Sequence, residues 1–137
     1  MRIMELINTL KEYCELAKEE SELPRKLVYT RYAIDILYNM WRYQKEPLIY
    51  LLFHSLVPSY NIVIEIVRRK SMTYEEILPY VNRLVEALTK AIEIIEKLSS
   101  NKSKALEEVF KLVEETILPL ELDLITLRNI ASIISPS

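Results

Sequence analysis

The chain contains no glycine in 137 residues. At the usual frequency of about 7%, a chain of this length carries roughly ten. Glycine supplies the positive-φ positions of tight hairpin turns and lets the backbone approach phosphate groups closely. Its absence argues against sheets built from hairpins and excludes glycine-rich phosphate loops and dinucleotide-binding fingerprints. We therefore predict an all-α fold with no sheet.

Apolar residues recur at helical spacing along the whole chain, and prolines or polar clusters separate the runs. The first helix is expected to begin near Ile3 and to end at Leu23, before Pro24. The other predicted helices cover residues 24–44, 48–57, 59–70, 74–98, 104–117 and 119–134. The pattern predicts a compact multi-helix bundle of about six to seven helices, in a single helical domain spanning residues 1–137.

Local signals place the helix boundaries. Pro58 and Pro119 are each expected to begin a new helix, because proline lacks the N–H that a helix interior uses. Thr73 and Glu76 have the spacing of a capping box. With glycine absent, Asn101 is the best candidate for a left-handed residue at a helix C-terminus. The second helix is apolar over more than half of its circumference, so we expect it to lie at the centre of the domain.

Residues 47–64 lack charged side chains and reach the length of a membrane-spanning helix. Pro58, Ser59 and Asn61 would place a helix breaker and polar groups at mid-membrane, which favours a buried helical hairpin. The N-terminus has no uninterrupted apolar core of a secretion signal. The single cysteine, Cys14, cannot form an internal disulfide and suits a reducing compartment. We predict a cytoplasmic protein without membrane association.

One histidine and one cysteine leave few options for metal or nucleophile chemistry. His54 is the natural general acid–base candidate, but its apolar neighbours Tyr50, Leu51 and Phe53 favour a structural role. A di-metal bundle site needs two Glu-x-x-His motifs. Adjacent glutamates on a helix diverge by about 100°, so the acidic pairs split across faces. We predict no catalytic residue, metal site or cofactor, and hence not an enzyme.

The 18 basic and 20 acidic residues nearly cancel, so the chain has no global field that attracts polyanions. A local basic face nevertheless lies on the predicted second helix. Arg31 and Arg42 are three turns apart and share that face, with Tyr38 between them as a stacking platform and Lys45 following. Asp35 lies one turn from Arg31 and is placed to neutralise it. This face predicts nucleic-acid binding as an alternative function.

Apolar residues make up 50% of the chain and the mean hydropathy is +0.07. This is more apolar surface than a small domain is expected to bury alone. We predict a noncatalytic interaction or assembly protein, either a homo-oligomer or an accessory subunit with a protein partner. The interface is expected on the first helix or between Pro47 and Val67. Plentiful isoleucine, glutamate and lysine beside a single glutamine give the composition a thermophile-like character.

Overall fold

A computed structural model describes residues 3–134, and these residues form helices and short connections without a β-strand. The all-α prediction is confirmed for this part of the chain. There are five helices in it rather than six to seven. Their bounds are α1 Ile3–Glu19, α2 Leu23–Gln44, α3 Pro47–Arg69, α4 Tyr74–Lys97, and α5, which runs through Lys102–Leu112, Val113–Ile117 and Leu118–Ile134.

The first difference from the prediction lies at Pro58, which is inside α3 rather than at a helix start. Proline removes the hydrogen bond that its nitrogen would otherwise donate to the His54 carbonyl. The helix continues because Leu56 and Val63, on either side of the proline, are both fully buried in the same core. Burial of one continuous face therefore outweighs the lost hydrogen bond, and the predicted break is wrong.

The second difference lies at Pro119, where α5 continues through a π-helical segment, Val113–Ile117. The Leu118 amide donates to the carbonyl of Val113, five residues earlier. Pro119 has no N–H to donate to the carbonyl four residues before it, and the wider π turn accommodates this loss. The predicted break at Pro119 is therefore also wrong.

The capping box at the start of α4 is confirmed. The Thr73 hydroxyl accepts from the Glu76 amide at 3.3 Å, and the Glu76 carboxylate accepts from the Thr73 amide at 2.9 Å. The hydrogen bond from the Thr73 amide, followed by an interaction with the Thr73 side chain, holds the pKa of Glu76 below its ordinary value. Two otherwise unpaired backbone groups are thus satisfied at the helix start.

Asn101 does not take the left-handed conformation expected of it. Its φ is −155°, and it caps the start of α5, where its side-chain oxygen accepts from the Lys104 amide at 3.1 Å. The left-handed residues in the described chain are Lys45, which ends α2, and Lys70, which ends α3. Charged residues thus occupy the conformation that glycine or asparagine usually takes.

The buried apolar side chains form one cluster to which all five helices contribute. α4 contacts every other helix and is therefore more central than α2, which was expected at the centre of the domain. α2 packs against α1, α3 and α4. Only Lys45 and Glu46 connect α2 to α3, so these two helices lie side by side in opposite directions. That antiparallel pair positions the aromatic residues of the candidate site.

Candidate functional site

Aromatic side chains gather on the surface where α2 and α3 meet. Because the connecting turn is so short, Trp41 of α2 faces Tyr50 of α3, and Tyr38 faces Phe53 one turn further from it. We name this group the aromatic cluster, and its members are Tyr38, Trp41, Tyr50, Phe53 and His54. Of these residues, only Tyr38 belongs to the basic face predicted from the sequence, and His54 is the residue that was considered there as a general acid–base candidate.

The rings of the aromatic cluster form a closed circuit of contacts. The centroid distances are 5.2 Å for Tyr38–Phe53, 5.3 Å for Phe53–His54, 4.1 Å for His54–Tyr50, 4.8 Å for Tyr50–Trp41 and 6.3 Å for Trp41–Tyr38. The interplanar angles run from 39° to 84°, so no ring lies flat on its neighbour. Tyr38 and Tyr50 are 41% and 42% exposed. Both tyrosines are therefore partly accessible to a ligand.

Two cations lie beside these rings. The Arg42 guanidinium carbon is 6.0 Å from the Tyr38 centroid, and the Lys45 ammonium nitrogen is 4.6 Å from the Trp41 centroid. Both distances are in the range of cation–π contacts. Within residues 3–134, neither cation forms an ion pair with a carboxylate. Both charges are exposed and available to an anion.

Arg31, the fourth residue of the predicted basic face, lies apart from the other three. Its Nε donates to the Asp35 carboxylate at 3.3 Å, and Asp35 followed by Tyr60 raises the pKa of Arg31. Together with Arg68, Arg31 and Tyr60 line a separate cleft between α2 and α3. Of the predicted site residues, the structure therefore brings together Tyr38, Arg42 and Lys45.

A second surface runs along the outer face of α5. Six of the twelve exposed large apolar side chains in residues 3–134 belong to this helix, with exposures from 41% to 80%. We name them the α5 stripe: Leu106, Phe110, Leu118, Leu122, Ile130 and Ile133. The exposed apolar surface is thus concentrated on α5, and not on α1 or between residues 47 and 67, where the interface was expected.

The π segment brings Phe110 and Leu118 of the α5 stripe onto nearly the same face of the helix. Phe110 and Leu118 are eight residues apart, which in a regular α-helix would turn them about 80° from each other. A π turn takes up about one extra residue, which is about 100° of helix rotation, and so offsets most of that angle. Phe110 and Leu118 therefore lie on nearly the same face of α5, whereas Leu122 and Ile130, eight residues apart in the regular helix that follows, lie about 80° apart around it.

The single histidine has no catalytic partner beside it in the observed contacts. His54 is exposed, and its ring packs against Tyr50 and Phe53. In residues 3–134 no group of three or more His, Cys, Asp or Glu side chains is arranged to hold a metal ion. Cys14 is buried in the core, and burial raises the pKa of its thiol to about 12. The two surfaces are the features from which a function is argued.

Across residues 3–134, α3 is the one helix that is long and apolar enough to cross a membrane, judged by length and composition alone. In the structure it packs against α2, α4 and α5 and contributes nine buried residues to the core. These contacts cover much of the apolar surface of α3 within the protein.

Comparison with protein families, with characterised proteins and with solved structures found no match to this chain.

Proposed function

We propose that this protein is a noncatalytic assembly protein that forms a homodimer through the α5 stripe. The six exposed large apolar side chains along that helix carry the proposal. Single exposed apolar residues are ordinary on protein surfaces. Six large ones on one helix are instead typical of a surface that another protein covers.

The stripe is suited to pairing with a second copy of itself. Phe110 and Ile130 lie at equal distances in sequence from Leu120, and so do Leu118 and Leu122. In an antiparallel pair of α5 helices with a two-fold axis near Leu120, Phe110 would contact Ile130 of the second copy, and Leu118 would contact Leu122. These four apolar residues then face one another across the axis in the reciprocal pairs that an isologous interface requires.

The length of α5 provides enough area for such a dimer. The helix comprises 33 residues, which corresponds to about 50 Å. A contact strip about 10 Å wide along it covers about 500 Å² on each copy, or about 1,000 Å² in total. That area is near the lower limit for a specific interface, so we expect a dimer whose dissociation is measurable.

Sedimentation equilibrium on the full chain tests the dimer. We expect a mass of twice 16.2 kDa for the unaltered protein and a monomer for Phe110→Glu combined with Leu122→Glu. Tyr43→Glu is the matched control, because Tyr43 is 61% exposed but lies on α2, outside the stripe. A monomeric unaltered protein at several hundred micromolar, or a double variant that remains dimeric, would overturn the proposal.

Cysteine cross-linking tests the antiparallel register. In a Cys14→Ala background, a mixture of Leu118→Cys and Leu122→Cys chains should form a disulfide-linked dimer faster than either chain alone. A parallel arrangement predicts the reverse, because each cysteine would then face its own copy. Preferential linking of like chains would therefore exclude the proposed register.

A further inference from the structure

We propose that the aromatic cluster, with Arg42 and Lys45, binds single-stranded nucleic acid by stacking two or three bases on its rings. This site is on α2 and α3, whereas the proposed dimer interface is on α5, so the inference does not depend on the assembly function. The ligand is recognised through two chemical features, a flat base and a phosphate, and each has a counterpart on this surface.

The rings match unpaired bases. Tyr38 and Tyr50 expose about two fifths of their surface. Their neighbours in the cluster lie tilted against them rather than stacked. An unstacked base has an open π-face that such a ring can cover, whatever its identity. Bases inside a duplex are already stacked on each other, which favours a single strand over a double helix.

The two cations match the phosphates and disfavour a cationic ligand. Arg42 and Lys45 form no ion pair in residues 3–134, and the carboxylate of the adjacent Glu46 is engaged by Lys102 at 3.4 Å. A cationic ligand, which aromatic clusters often bind, would be repelled by these two charges. Two phosphate contacts on a single strand predict that a plot of the logarithm of the binding constant against the logarithm of the salt concentration has a slope of about −1.4.

Trp41 provides a local signal for binding, because it is the only tryptophan in the chain and belongs to the cluster. We would titrate the full protein with a ten-nucleotide poly-uridylate strand and a ten-nucleotide poly-thymidylate strand, and follow Trp41 fluorescence. Quenching should saturate, and raising the salt from 25 to 250 mM should weaken binding about 25-fold. A ten-base-pair duplex and inorganic polyphosphate are the comparison ligands, and neither should quench Trp41 comparably.

Variants separate stacking from charge. Tyr38→Ala with Tyr50→Ala should weaken binding at least about 25-fold, because each of the two lost stacking contacts weakens binding by about fivefold or more. Tyr43→Ala, an exposed tyrosine on α2 outside the cluster, should not. Arg42→Gln with Lys45→Asn should flatten the salt dependence, and asparagine suits the left-handed backbone at position 45. Arg25→Gln, at the far end of α2, is the matched charge control.

Several results would overturn the proposal. One is the absence of Trp41 quenching at 1 mM single strand and 25 mM salt. Equal affinity for polyphosphate would show that charge alone is responsible, and equal affinity for the duplex would exclude stacking. If the tyrosine double variant kept its affinity for the strands but changed the sedimentation of the protein, the cluster would be a protein interface instead.

Discussion

Lys45, which ends α2, and Lys70, which ends α3, have almost identical left-handed backbone conformations. Their φ angles are 54° and 52°, and ψ is 31° in both. The Lys45 amide donates to the Trp41 carbonyl at 2.7 Å, and the Lys70 amide donates to the Val67 carbonyl at 3.1 Å. For a residue with a Cβ atom, this left-handed conformation is less stable than the right-handed one by about 1–2 kcal/mol. A chain without glycine therefore carries this cost at two helix ends.

Replacing Lys70 by glycine should stabilise the protein. Removing the Cβ relieves the left-handed strain, while the greater freedom of glycine in the unfolded chain offsets part of the gain. We expect Lys70→Gly to raise the free energy of unfolding by about 0.5–1 kcal/mol in urea titrations. Lys70→Ala retains the Cβ and should give no such gain. Equal stabilisation by alanine would show that the backbone conformation is not the cause.

Lys26 should be important for stability despite its charge. It is 3% exposed, and its ammonium donates to the carbonyls of Ala17 at 2.5 Å, Lys18 at 3.3 Å and Glu20 at 3.3 Å. Lys26→Met would leave these carbonyls without that donor, and we expect it to lower the free energy of unfolding by about 1–3 kcal/mol. The exposed neighbour Arg25, changed to Met, should alter it by less than about 0.5 kcal/mol. Equal urea midpoints for Lys26→Met and Arg25→Met would contradict a stabilising role for Lys26.

The buried thiol predicts a loss of stability at alkaline pH. Burial raises the pKa of Cys14 from 9.0 to about 12, so above pH 9 the unfolded chain ionises while the folded chain does not. The contribution of Cys14 is fully present below pH 9 and is lost as the pH rises towards 12. Relative to Cys14→Ala, the unfolding free energy should fall by about 1 kcal/mol between pH 9 and pH 10. A constant difference over that interval would exclude the shift. Tyr60, whose pKa burial also raises, is present in both proteins.

The composition and the ion pairs between helices predict high thermal stability. Lys11 of α1 pairs with Glu96 of α4 at 2.7 Å, and Arg83 of α4 pairs with Asp123 of α5 at 2.7 Å. Charged pairs of this kind become more favourable with temperature, because the penalty for desolvating ions falls. We expect a Tm above about 70 °C by circular dichroism, and a lower Tm in 1 M salt, which screens exposed pairs. Unfolding well below 70 °C would contradict the thermophile-like interpretation.

Local signals in the sequence were sufficient where the structure depends on a few neighbouring residues. Thr73 and Glu76 form the predicted capping box because both partners lie within one turn. Proline marks the start of a helix in many chains, yet Pro58 and Pro119 both lie inside helices here. Whether a helix continues through proline depends on tertiary burial on both sides, and no local pattern reports that burial.

The candidate site was predictable only on one helix. Tyr38 and Arg42 are one turn apart on α2, so their proximity follows from helical spacing. Tyr50 and Phe53 join them only because α2 and α3 are antiparallel, which requires the conformation of the connecting turn. Arg31 has the right spacing but pairs with Asp35. Spacing places residues on a face, whereas packing and ion pairing decide which of them remain accessible.

The π segment of α5 makes the effect of losing one residue depend on where in the bundle the loss falls. The wider turn already takes up about one extra residue, so deleting one residue between Val113 and Ile117 would leave the residues beyond it on nearly the same faces. Leu120 and Leu124, both now fully buried, would stay in the core. A regular α-helix has no such extra residue, and the same deletion there rotates everything beyond it by about 100°. The loss of one residue should therefore be tolerated better in this stretch of α5 than in a regular helix of the bundle.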